Sequence, residues 1–130
     1  EPPIWTTVMP AVNGTLSADG LARLYGALAN GGSDGNATLL SPTTTRALGQ
    51  VQIRSADAVL GLRMRWRLGY HQAFGHYGYG GSGGWADPTL GLSVGFVTNR
   101  IGSMTTPLGD LTLFRLNRIV RECAAASRWG

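Results

Sequence analysis

The sequence contains no lysine, a single cysteine and only 14% charged residues, and each shortage narrows what the chain can do. Without lysine there is no Ser-x-x-Lys pair and no Gly-Lys-Ser or Gly-Lys-Thr phosphate loop. No Tyr is followed two residues later by Asn. With Cys123 alone, no intrachain disulfide forms and thiol chemistry gives no guide to compartment. Two histidines, no acidic cluster and one distant cysteine make no metal site. No apolar run approaches the roughly 20 residues that cross a bilayer, so no membrane span is expected. The opening Glu1-Pro2-Pro3-Ile4-Trp5 has neither the basic nor the apolar region of a signal peptide, which leaves the localisation unknown.

What remains is a globular composition. A chain of 130 residues with 43% hydrophobic content suits one small domain. Such a domain buries roughly two-thirds of its unfolded surface. The net charge is +4, from eleven arginines against seven acids. Arginine used to the exclusion of lysine reflects coding bias more than function, although its planar fork suits phosphate and carboxylate. Arg63, Arg65 and Arg67 alternate with Leu62, Met64, Trp66 and Leu68. That period of two predicts a half-buried strand with an outward basic face, and no nucleic-acid motif accompanies it.

The local signals predict an α+β order. Ser17 caps a helix whose apolar positions are Leu21, Leu24, Tyr25 and Leu28, stopped by Asn30-Gly31-Gly32. Ser41-Pro42 opens a short helix ending near Gly49. A strand follows from about Val59 to Leu68, then two more around Gly80 to Ala86 and Leu90 to Thr98, joined by a turn at Asp87-Pro88-Thr89. A final helix starts near Leu108 and carries the stripe Leu113, Leu116, Val120 and Cys123, which makes Cys123 a small core residue. The chain thus reads as one unit, helical over residues 1–55 and built of three antiparallel strands plus a helix over 56–130.

The densest chemistry lies in Phe74 to Pro88, where His76, several aromatics and six glycines precede an Asp-Pro turn. A glycine run admits close approach by a ligand or another backbone, which suits one wall of an active site. Gly80-Gly81-Ser82-Gly83-Gly84 also satisfies G-x-S-x-G, but a nucleophile elbow needs a helix immediately after the serine and its histidine later in the chain. Neither condition holds, so Ser82 reads as a small residue that lets strands approach. His71 has no comparable context and reads as a surface loop residue. Of the aromatics, Tyr77 or Tyr79 is expected to touch ligand and Trp66 to be core.

His76-Tyr77-Gly78, with the Gly-Gly-Ser, Asp87-Pro88 and Gly91 to Arg100 segments that follow, resembles the third motif of the serine β-lactamase and penicillin-binding-protein superfamily. The likeness is to class C-like and family VIII esterase-like members. Asn13-Gly14, Leu21 to Tyr25 and Leu39-Leu40-Ser41-Pro42 extend the resemblance along the chain, which matches only the C-terminal part of such a protein. The resemblance implies a serine hydrolase working through an acyl-serine intermediate without a cofactor. Its catalytic contributions here would be His76 and the backbone N–H of Tyr79 as one oxyanion donor, with Tyr77, Gly78 and Gly80 lining the substrate. The nucleophile Ser, its Lys and the Tyr would sit in an N-terminal portion of the protein that covers an otherwise unpaired sheet edge. His76 stands where relatives carry Lys, and Tyr77 where they carry Thr or Ser. Histidine is largely neutral at pH 7, so the exchange favours a small ester or amide over a carboxylate-bearing β-lactam. The alternative function is a non-catalytic binding or scaffolding module on the same sheet.

Overall fold

The computed structural model describes residues 6–10, 14–71, 74–100 and 111–127. Asn13 and Leu108 fall outside these residues, as does most of the N-terminal stretch.

Two helices come first, and their ends are set by the capping residues. In α1 (Ala18–Ala29) the Gly20 N–H donates to Ser17 Oγ at 3.0 Å, satisfying a donor that the helix cannot use itself. Its other end closes when the Gly32 N–H reaches back to the Ala27 carbonyl at 2.8 Å. In α2 (Pro42–Gly49) the Thr44 N–H donates to Ser41 Oγ at 3.1 Å, and Pro42 occupies the first turn, where its missing N–H costs nothing.

Five strands are present among the described residues, in two separate antiparallel sheets. The segment expected from Val59 to Leu68 is a strand only over Arg63–Trp66 (β2). It doubles back to pair with Ile53–Ala56 (β1), so residues 57–62 are consumed by the turn and the helical region ends before residue 55. The larger sheet has the order β3 (Phe74–Tyr77), β4 (Gly83–Asp87), β5 (Leu92–Phe96). Periodicity alone does not mark β3, because Gly75 and His76 interrupt its apolar pattern. The β4–β5 turn forms as expected. There Asp87 Oδ1 accepts hydrogen bonds from the Thr89 N–H at 3.0 Å and the Leu90 N–H at 3.3 Å.

The sheet lies between α1 and α3 (Thr112–Ala126), and strand alternation assigns its residues to one helix or the other. On the α1 side, Tyr25, Leu28, Phe74 and Ala86 form one core cluster. Gly84 and Gly95, paired across β4 and β5, let the helix come close. A Cβ on Gly84 would stand 2.6 Å from the Tyr25 ring, and one on Gly95 2.3 Å from the Ala18 carbonyl oxygen. On the α3 side, Trp85, Leu113 and Tyr77 form the second cluster, with Phe114, Leu116 and Val120 against it.

Cys123 does not join that core. It is exposed, since the stripe leaves the sheet after Val120 and the last turn of α3 projects past it. Arg67 also departs from expectation. It lies just beyond β2, and its Nε donates to the Gly49 carbonyl at 2.9 Å, while a terminal nitrogen donates to the His71 carbonyl at 2.8 Å. The outward basic face is therefore Arg63 and Arg65, with Met64 buried beneath them.

Candidate active site

The turn after β3 builds the site. The Gly78 N–H donates to the Ser82 carbonyl at 2.7 Å and the Gly81 N–H to the Gly78 carbonyl at 3.0 Å. In a turn closed this way the two central N–H groups have no intra-turn acceptor. Here they belong to Tyr79 and Gly80, and neither has a hydrogen-bond acceptor among the described residues. Ser82 holds the base of the turn to the end of β5, accepting from the Thr98 N–H at 3.0 Å. Strand β4 follows it directly, so no nucleophile elbow exists at this serine.

Beside the turn is an open recess of about 470 Å³, lined by His76, Gly78, Ser82 and Thr98 of the sheet and its turns and by Leu16 and Tyr25. His76 is exposed on the α1 side of β3 and lines the recess. Tyr25 fixes the backbone there. Burial first, and then the neighbouring Tyr70, push its hydroxyl up to about 12, only partly offset by a hydrogen bond from the His76 backbone. A phenol so hard to ionise is a strut between α1 and β3, not a proton acceptor at neutral pH.

The expected site residues separate into two groups. His76 and Gly78 line the recess, while Tyr79 and Gly80 form the tip of the adjacent turn, with the Tyr79 side chain about half exposed. Tyr77 points the other way. Its ring is buried against Phe114 at 4.2 Å between centroids, and its hydroxyl accepts a hydrogen bond from Asn117 Nδ2 at 2.9 Å. Alternation along β3 puts neighbours 76 and 77 on opposite faces, so the Tyr77 side chain serves the α3 core.

His71 is the residue that sequence reasoning missed. It is no surface loop residue: its ring meets that of His76 edge-on at 4.5 Å and lies 5.7 Å from that of Trp66. Burial, and then the nearby His76, lower its pKa to about 4, so it is neutral at pH 7. The placement follows from Arg67, whose backbone N–H donates to the Tyr70 carbonyl at 2.7 Å while its guanidinium holds the His71 carbonyl. Nothing in the spacing of two histidines five residues apart signals this contact. No group of three or more His, Cys, Asp or Glu side chains converges anywhere among the described residues.

A family model described as Beta-lactamase matches residues 1–114. The chain belongs to the β-lactamase family. Within that family it is 36% identical over 140 residues to the esterase/beta-lactamase LipL of Mycobacterium tuberculosis, an alignment that covers 98% of this chain and 32% of LipL. Among solved structures it resembles a family VIII carboxylesterase, with TM-score 0.67 and 34% identity over 80% of this chain and 31% of the other. A penicillin-binding protein homolog from Caulobacter crescentus gives TM-score 0.62 and 38% identity over 66% of this chain and 26% of that one. The β-lactamase-family chain thus spans about a third of the length of the curated relative it matches. Its α+β arrangement of helices, antiparallel strands and C-terminal helix agrees with these relatives.

Proposed function

We propose that this chain supplies one wall of a serine hydrolase active site, in an esterase that works through an acyl-serine intermediate. An activated serine would arrive from an N-terminal portion of the protein carrying Ser-x-x-Lys, positioned against the recess beside β3. Attack on the substrate carbonyl drives charge onto its oxygen, and donors aimed at that oxygen lower the barrier. The Tyr79 N–H supplies one donor, held at the turn tip by the Gly78–Gly81 and Gly78–Ser82 hydrogen bonds. His76 faces the same recess and orients or shuttles a proton near the reacting centre.

The observation that carries the ester reading is the fate of Tyr77. At the position where β-lactam-binding relatives have a small hydroxyl residue, this side chain is buried on the far face with its hydroxyl engaged by Asn117. No hydroxyl is offered there to a substrate carboxylate, and one relative is named a carboxylesterase, while the name of LipL carries both esterase and beta-lactamase.

The test separates backbone from side chain at position 79 of the full-length protein. Tyr79→Ala keeps the N–H and should hydrolyse a p-nitrophenyl ester at close to the parent rate. Tyr79→Pro removes the N–H at a turn position that tolerates proline, and should lower kcat about 10²- to 10³-fold. His76→Ala should reduce turnover at least several-fold without altering the melting temperature. Equal activity for the alanine and proline variants would remove the oxyanion role, and unchanged turnover in His76→Ala would remove the histidine's.

A further inference from the structure

The β1–β2 hairpin carries features that ester chemistry does not use. Its tip is apolar: Ala58, Val59, Leu60, Gly61 and Leu62 run consecutively, with Val59 91% and Leu62 42% exposed. The tip is also rigid. Asp57 Oδ1 accepts hydrogen bonds from the Val59 N–H at 2.9 Å and the Leu60 N–H at 2.8 Å, while the Gly61 N–H reaches the Asp57 carbonyl at 2.9 Å. The only acid in the tip is thereby engaged by backbone N–H groups, and Val59 is held outward at little further entropic cost.

Directly below the tip the chemistry changes. Arg54 and Arg65 are cross-strand partners, an arrangement of like charges that weakens a hairpin. Neither has an acidic partner among the described residues. With Arg63 on the same face they border a recess of about 390 Å³ lined also by Ser55 and Met64. At about 3.3 Å per residue of strand, Arg65 sits at most roughly 10 Å below Leu62, which precedes β2. That spacing matches the roughly 5–10 Å depth of the boundary between headgroups and acyl chains.

We propose that this hairpin docks on an anionic lipid surface, with Val59 and Leu62 entering the acyl boundary and Arg54 and Arg65 binding headgroup phosphates. A polynucleotide accounts for the arginines but leaves the apolar tip in water, and an apolar protein groove accounts for the tip but not for Arg54 and Arg65, which have no acidic partner among the described residues. A lipid surface satisfies both at the spacing that strand geometry gives. The inference stands apart from the hydrolase reading, since none of these residues lines the recess at His76.

The test is co-sedimentation of the full-length protein with phosphatidylcholine vesicles, with and without phosphatidylglycerol. Partition should be at least about 10-fold higher with phosphatidylglycerol, and should fall about fivefold for each of Arg54→Gln and Arg65→Gln. High salt should weaken it. Val59→Ser, at a site too exposed to disturb folding, should cut partition about threefold or more with the salt dependence unchanged. Absence of partition, or equal partition into both vesicle types, overturns the proposal. So does loss of binding in the arginine variants with none in Val59→Ser, which would mark charge adsorption without entry of the apolar tip.

Discussion

Strands β4 and β1 are similar in length and opposite in circumstance. In β4 every residue but the first is buried, and Trp85 at its centre is 0% exposed. In β1 all four residues are exposed, Ile53 included at 54%. The first strand is paired on both edges and covered on both faces, so its identity as a strand is enforced by two helices and two neighbours. The second has one neighbour, and a lone two-stranded hairpin is marginal in water. Its order relies on the Asp57 turn and on Arg67, which ties the exit of β2 to the end of α2 through the Gly49 carbonyl. The molecule thus joins a layered body that carries the candidate site to a tethered hairpin that contributes little to the core.

That contrast can be broken most severely at Trp85. Trp85→Ala should cost about 3–5 kcal/mol, seen as a large fall in the denaturation midpoint, because the void it leaves between sheet and α3 cannot collapse. A loss below 1 kcal/mol would mean that the layers do not carry the stability. Next comes the tether. Arg67→Met removes charged hydrogen bonds to the Gly49 and His71 carbonyls, with an expected cost of about 1.5–3 kcal/mol. Amide hydrogen exchange should accelerate in β1 and β2 well before it does in β4, and uniform acceleration would show that the two regions unfold together.

A smaller effect sits at the boundary between the regions, in His71. Its folded pKa of about 4 lies below the unfolded value near 6.5, so between those values the unfolded chain binds more protons. Stability is therefore complete above about pH 6.5 and declines as pH falls toward 4. His71→Asn should flatten the melting temperature over that window, and an unaltered slope would remove His71 as its source. Asp87 acts at lower pH. Burial raises its pKa, but the Thr89 hydroxyl and Arg121, 2.7 Å from Oδ2, outweigh burial and hold it below the usual carboxylate range. Its contribution is present above the ordinary carboxylate pKa and is lost as pH falls through the lowered one. The smallest effects belong to exposed positions outside the core: Ile53→Thr and Cys123→Ser should each stay within about 0.5 kcal/mol by thermal denaturation.

What the sequence determined was local. Ser17, Ser41 and Pro42 fix where two helices start because a cap or a first-turn proline acts within one turn of chain. Asp87 fixes the β4–β5 turn because its carboxylate reaches only the next two or three N–H groups. The His76-Tyr77-Gly78 motif and its glycines marked the candidate site for a related reason, since backbone freedom is a property of single residues. Facing and company were decided by tertiary structure. Alternation separates residues 76 and 77 but does not say which face holds the recess, and only α1 and α3 closing on opposite sides sent Tyr77 into the core and His76 to the mouth. His71 met His76 because Arg67 folded a turn back, and Cys123 stayed in water because the sheet ends before the helix does. Each of these depends on atoms far apart in the chain, whose contact is settled by which surfaces the whole molecule can bury together.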